Sequence, residues 1–270
     1  YGEVYSRLVR TSSDGKDELS LALERVQPGN DVRMIFVGSG LVPYRGADTI
    51  GYRFGPTGTA AKAGYVKSTT ADGKQFMSFN PVTLAPFGGF GPPPGSVAPG
   101  SGATPPPAPA PGTPFIPPPY DRAREQETAT SISTIALTDG LTSPVTIETG
   151  PLRAPMAAMQ ACADDLLKVW GLDPEKHKTM TAPAALNPDP QGVLPQGTIP
   201  FSEFGKLGSG GNQVRVILGT DGKPMSCKIY SPTLSETLNG KICSLVMEKA
   251  SFVPARDAAG QAMASFWMGS

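Results

Sequence analysis

The chain has 270 residues, 23 Lys and Arg against 23 Asp and Glu for a formal net charge of zero at pH 7, 39% hydrophobic residues, and high counts of glycine (32) and proline (30). A neutral chain has no global field to recruit nucleic acid or an anionic membrane, and no stripe of basic residues interleaved with aromatics supplies a local one, so no nucleic-acid partner is expected. No run approaches the roughly 18 apolar residues of a membrane span, no basic start followed by an apolar stretch marks a signal peptide, and the composition points to short strands, many turns and one large or two ordinary domains.

The chain opens on "YGEVYSRLVR" without an initiator Met and reads as processed or trimmed. Over the first 80 residues the pattern is that of strands. "LSLALERV" (19–26) sets Leu19, Leu21 and Leu23 on one face, and "VRMIFVG" (32–38) is nearly continuous in its apolar character, which predicts a more deeply buried strand. "SSDGKD", "QPGND" and "ADGK" are turn clusters, and "FMSFNPVTL" (76–84) predicts a strand that Pro81 confines to an edge or breaks. Residues 91–119 contain 13 prolines and 5 glycines, a composition that fits no packed element and predicts a solvated insert with polyproline stretches. "SISTIAL" (131–137) and "PVTIET" (144–149) alternate across "TDGLTS" and predict a hairpin that closes the first domain, which places the proline tract inside that domain.

"APMAAMQACADDLLKVWGLDP" predicts a long helix. Pro155 suits a first turn and Gly171 the position just past the end. Met156, Met159, Ala163, Leu166, Leu167 and Trp170 form one stripe, with Gln160, Asp164, Asp165 and Lys168 opposite. Residues 173–197 are rich in Pro and Asn and read as a linker between a strand-rich domain at 1–172 and a smaller one at 198–270. The smaller domain has the order β-β-α-β. "NQVRVILGTDGKPMSCKIY" is strand, Asp221-Gly222 turn, strand. Ser235 caps a helix whose stripe is Leu238, Ile242, Leu245, Val246 and Lys249/Ala250, and a last strand runs from Ala262. The fold class expected is α+β: a strand-rich N-terminal domain with one long helix, then a small β-β-α-β domain.

Val214-Arg215-Val216, the Asp221-Gly222-Lys223 turn, the helix near 236–249, and Phe252-Val253-Pro254-Ala255 with Gly260 follow one another over about 75 residues. This order resembles the C-terminal domain of the TonB energy-transducer family. "CADDLLKVWGLDP" (162–174) is similar to a helix that sphingomonad-type envelope proteins place between a strand-rich domain and a TonB-like domain. The resemblance implies a cell-envelope protein whose C-terminal domain pairs with short segments of outer-membrane transporters. A membrane anchor of the transducer kind is not visible in this chain, and its proline tract lies upstream, inside the first domain, rather than directly before the last one.

Three cysteines occur. Strand alternation sets Met225, Cys227 and Ile229 on one apolar face, and Cys243 adjoins Ile242 and Val246 on the buried side of the helix. A zinc site needs about four ligands, and the C-x-x-C of a redox pair is absent. A Cys227–Cys243 disulfide or two buried free thiols remain. The disulfide is the expectation carried forward, and it implies an oxidising compartment: periplasm, envelope or exterior. Cys162 is then left over, as a small buried hydrophobe.

No catalytic, cofactor-binding or metal-binding residues are expected. His177 is the only histidine and lies between two lysines, as solvated surface histidines do. Asp164 and Asp165 point apart on a helix as a surface pair, and "GKLGSGGN" (205–212) lacks the ending of a phosphate loop. The reading is a non-enzymatic binding protein that takes a protein or peptide partner by strand addition, either a transporter segment or another copy of itself. The rival is a structural subunit of a secreted or surface assembly that associates through open strand edges and the proline-rich segment. The partner-binding residues expected are Met263, Ser265, Phe266 and Trp267. The terminal strand 262–268 alternates Met263, Ser265 and Trp267 on one face with Ala264, Phe266 and Met268 on the other. Each face carries an aromatic, and burial under one helix accounts for only one of them.

Overall fold

The computed structural model describes residues 6–13 (backbone alone), 18–25, 27–38, 40–84, 120–187, 192–203, 212–230, 232 and 234–269. The proline-rich tract 91–119 and most of the glycine-rich 205–212 lie outside them. Contacts divide the described chain into two units, one holding the residues up to 84 together with 120–174 and the other holding 175–269. The described chain is mixed α+β and rich in strands.

The first unit is built on an antiparallel sheet of β1 (Ser6–Ser13), β2 (Glu18–Arg25), β3 (Asp31–Gly38), β4 (Thr49–Phe54), β5 (Ala61–Thr69), β6 (Gln75–Phe79), β7 (Val82–Thr83), β8 (Thr134–Asp139) and β9 (Val145–Glu148). Its order is β1-β2-β3-β6-β5-β4-β8-β9, with β7 also on β3. The alternation of β2 buries Leu21 and Leu23 and packs Leu19 against the same core. β3 is buried more continuously, with Val32, Met34 and Phe36 inaccessible and Ile35 buried on the other face. Pro81 falls in the gap between β6 and β7, where its missing N–H removes no ladder bond. β8 and β9 form the expected hairpin, and β8 joins β4.

Two helices complete this unit, α1 (Arg122–Ser131) and α2 (Arg153–Val169). α2 buries Met156, Met159, Ala163, Leu166 and Leu167, as its stripe requires, and Gly171 takes a positive φ of 76° just past its end. α1 was not expected. "RAREQETATS" has no apolar stripe, and its buried residues are Glu125 and Ala129, so periodicity has nothing to register. Its visible start signal is Asp121, whose carboxylate accepts from the Arg124 N–H at 2.9 Å.

The second unit begins within the stretch expected to be a linker, and this is a correction. Residues 173–197 contain α3 (Pro174–Lys178), β10 (Met180–Ala182) and β11 (Ala185–Leu186). Later come β12 (Gln213–Leu218), β13 (Pro224–Tyr230), α4 (Glu236–Lys249), β14 (Phe252–Val253), β15 (Ala255–Asp257), β16 (Ala262–Met263) and β17 (Ser265–Gly269). β10 pairs with β15 and β11 with β14, so prolines that suggested a solvated linker instead punctuate two very short strands. The main sheet has the order β13-β12-β17. Gly222 turns the β12–β13 hairpin at φ 76°, and the Asp221 carboxylate accepts from the Lys223 N–H at 3.0 Å. Ser235 caps α4 by accepting from the Leu238 N–H at 3.3 Å. Ile242 and Val246 of α4 close over Val214, Val216 and Leu218 in one core with Leu234, Phe252, Ala255 and Met263. The last strand is not continuous. It divides at Ala264 into β16, which pairs with β15, and β17, which pairs with β12.

Candidate functional site: the terminal strand edge

β17 lies at one end of the β13-β12-β17 sheet. Its register sets Ser265 opposite Leu218 and Trp267 opposite Val216, whose side chains are core. Phe266 and Met268 stand opposite Ile217 and Arg215 on the other face. Among the described residues its strand partner is β12 alone.

The four residues expected to meet a partner divide. Met263 (5% exposed) and Ser265 (1%) are enclosed in the second unit, so their side chains are not presented to a partner. Phe266 and Trp267 are half-buried. Trp267 packs on Phe252 with ring centroids 5.5 Å apart, and Phe266 stacks with His177 at 6.2 Å and 15°. Both aromatic faces therefore have cover from within the unit, and what β17 presents is its backbone edge with the half-buried flank of Phe266 and Met268.

His177 corrects a second expectation. Lys176 and Lys178 are exposed as their charges require, but the single turn of α3 carries the intervening histidine inward. Its Nε2 lies 3.2 Å from the Ser265 hydroxyl, which also donates to the Met180 sulfur at 3.9 Å. A lone histidine between lysines gives no sequence signal of this, because the contact spans 88 residues. The Ser–His contact does not make a nucleophile. With Ser265 inaccessible, no acyl group can approach its oxygen, and the pair acts by holding α3 against the start of β17.

The sulfurs of Cys227 and Cys243 lie at disulfide distance, 2.02 Å, with Cα atoms 5.5 Å apart, tying β13 to α4. Cys227 and Ile229 face the core as expected, but Met225 is exposed. The cause is a bulge. Ile217 pairs with Ser226 and Leu218 with Pro224, so Met225 is an extra residue that breaks the alternation. Cys162 is exposed rather than buried. At about 100° per residue it lies roughly 100° from the line through Met159, Ala163 and Leu167.

The first unit holds a polar cluster that the sequence did not reveal. Arg25 (2% exposed) at the end of β2 pairs with Glu125 (3%) of α1 and donates to the Tyr120 hydroxyl at 2.8 Å. That hydroxyl donates to the other Glu125 oxygen, as does Gln160 Nε2 of α2 at 2.8 Å. Burial, the largest cause, pushes the Tyr120 phenol well above the ordinary tyrosine range. Asp164 is drawn to Arg122 and Asp165 to Lys168, so the adjacent carboxylates serve different partners. The only available signal was a run of charge, Asp121 to Glu127, at the end of the proline tract.

Among the described residues no group of three His, Cys, Asp or Glu side chains could hold a metal ion, and no helix is long and apolar enough to cross a membrane. No family model, curated protein or solved structure matches the chain.

Proposed function

We propose that this is a non-enzymatic cell-envelope protein, periplasmic or exported, whose TonB-like C-terminal domain binds an extended partner by strand addition along β17. The observation that carries the reading is the end position of β17, paired through β12 alone among the described residues. Edge strands not covered by a neighbour are templates for a further strand. The order of β12, turn, β13, α4 and the closing strands is compatible with the TonB-like arrangement, and a Cys227–Cys243 cross-link suits an oxidising compartment. The partner is a short extended segment, from an outer-membrane transporter or from a second copy.

Hydrogen exchange on the full chain, with and without extended peptides taken from such transporter segments, tests this. Slowed exchange at 265–269, with β13 unchanged, is the expected result. Peptide binding that leaves 265–269 unaltered would overturn the proposal. Sedimentation separates the rival reading, because β9 also ends its sheet with Thr146 and Glu148 exposed. A structural subunit forms concentration-dependent polymers, and a binding module stays monomeric.

A further inference from the structure

α1 has no apolar face to dock with. Of its ten residues, Ala129 is the one buried apolar side chain, and a helix this short is marginal alone. Its two halves are held differently. At the C-terminal end Leu152 N–H donates to the Ala129 and Ile132 carbonyls, and Ile132 enters the core beside β8. At the N-terminal end the fastening is charge. Glu125 takes Arg25 on one oxygen and Tyr120 and Gln160 on the other. Arg122 makes a forked pair with Asp164 of α2, one arm at 2.9 Å. The Tyr120 ring lies 5.3 Å from the Arg25 guanidinium and 5.6 Å from that of Arg122.

The other charged groups around Arg25 are Glu24, bonded to Arg33 at 3.3 Å, and Asp31, within Coulombic reach. Arg25 Nε is buried with no hydrogen-bond partner among the described residues. Neutralising Glu125 leaves a buried cation without its counter-charge, the costly way to break a buried pair. The chain can relieve that cost by letting water in at the end of α1 that charge holds.

We infer that residues 120–126 form an electrostatic latch that opens locally, ahead of the sheet and α2, when the Arg25–Glu125 pair is broken. This is a conformational device of the first unit and does not depend on strand addition in the second.

Hydrogen exchange on the full chain tests it, comparing the native protein with Glu125→Gln. At pH 7 the variant should exchange the hydrogen-bonded amides 124–126 roughly tenfold faster or more, with β2, β3 and α2 unchanged. Unchanged exchange at 124–126, or an equal rise across β2, β3 and α2, would overturn the inference. Should Glu125→Gln fail to fold, Gln160→Ala removes one neutral donor and must give a smaller rise confined to the same residues. A rise elsewhere, or none, overturns the inference equally.

Discussion

Replacing Cys227 and Cys243 together by alanine, in a chain whose exposed Cys162 is already serine, isolates what the link between β13 and α4 contributes. Without the Cys162 change, reduction and reoxidation could pair the wrong thiols. The cross-link joins residues 16 apart. Closing a loop of that size removes about 10 cal/mol/K from the unfolded chain, or about 3 kcal/mol at 25 °C. That is roughly a 150-fold change in the folding equilibrium and a large share of what a small unit has to lose. The chain has two tryptophans, Trp170 in the first unit and Trp267 in the second. In a Trp170→Phe background, urea unfolding followed by Trp267 fluorescence therefore reports the second unit. Its stability in water should fall by about 3 kcal/mol, and its slope should rise because the unlinked unfolded chain is more expanded. A loss below about 0.5 kcal/mol would refute the loop-entropy reasoning. Alkylation of the native, unreduced chain should modify Cys162 alone, and modification at all three cysteines would refute the bond itself.

Gly222→Ala should lower the same Trp267 transition by about 2 kcal/mol or more, because φ is 76° and an added Cβ would stand 2.4 Å from the Phe252 carbonyl oxygen, a backbone atom that cannot swing aside. Alkaline titration tests the buried phenol: a folded pKa raised above the unfolded one gives stability that is complete below about pH 10 and declines as pH rises beyond it. Tyr120→Phe should flatten that decline, leaving the part due to Tyr52 and Tyr65, whose phenols burial also raises, and an unchanged slope would show that Tyr120 is not the group responsible.

What was legible in the sequence depended on whether apolar residues carried the information. The alternation of β2, the continuous burial of β3, the stripe of α2 and the Ser235 cap of α4 are all local patterns, and the structure keeps them. α1 was invisible because charges hold it, and the partners Arg25 and Glu125 lie 100 residues apart. The burial of His177 was hidden for the same reason. Met225 was misplaced because it is itself the extra residue of a bulge in β13, and a bulge leaves no mark in composition. The stretch 173–197 misled because prolines that mark linkers also mark the ends of two- and three-residue strands. At the terminal strand, alternation assigned the faces correctly but could not show that Trp267 and Phe266 have partners in Phe252 and His177.

The size of β17 also limits what kind of partner the proposed function can involve. Five residues of edge strand turn roughly half of their N–H and C=O groups away from β12, so an added strand makes about five backbone hydrogen bonds. At about 1 kcal/mol net each, these contribute about 5 kcal/mol, no more than the cost of associating two bodies. Backbone pairing alone therefore sets the register of a partner without holding it. The remainder has to come from apolar burial along the flank of Phe266 and Met268. Burying about 200 Å² there adds roughly 5 kcal/mol, which brings an isolated peptide only to weak, micromolar-to-millimolar binding. Met263 and Ser265 can add nothing, since they already lie inside. An edge of this kind suits a partner kept nearby by other means, as in a crowded envelope or a tethered assembly, where effective concentration supplies what five residues cannot.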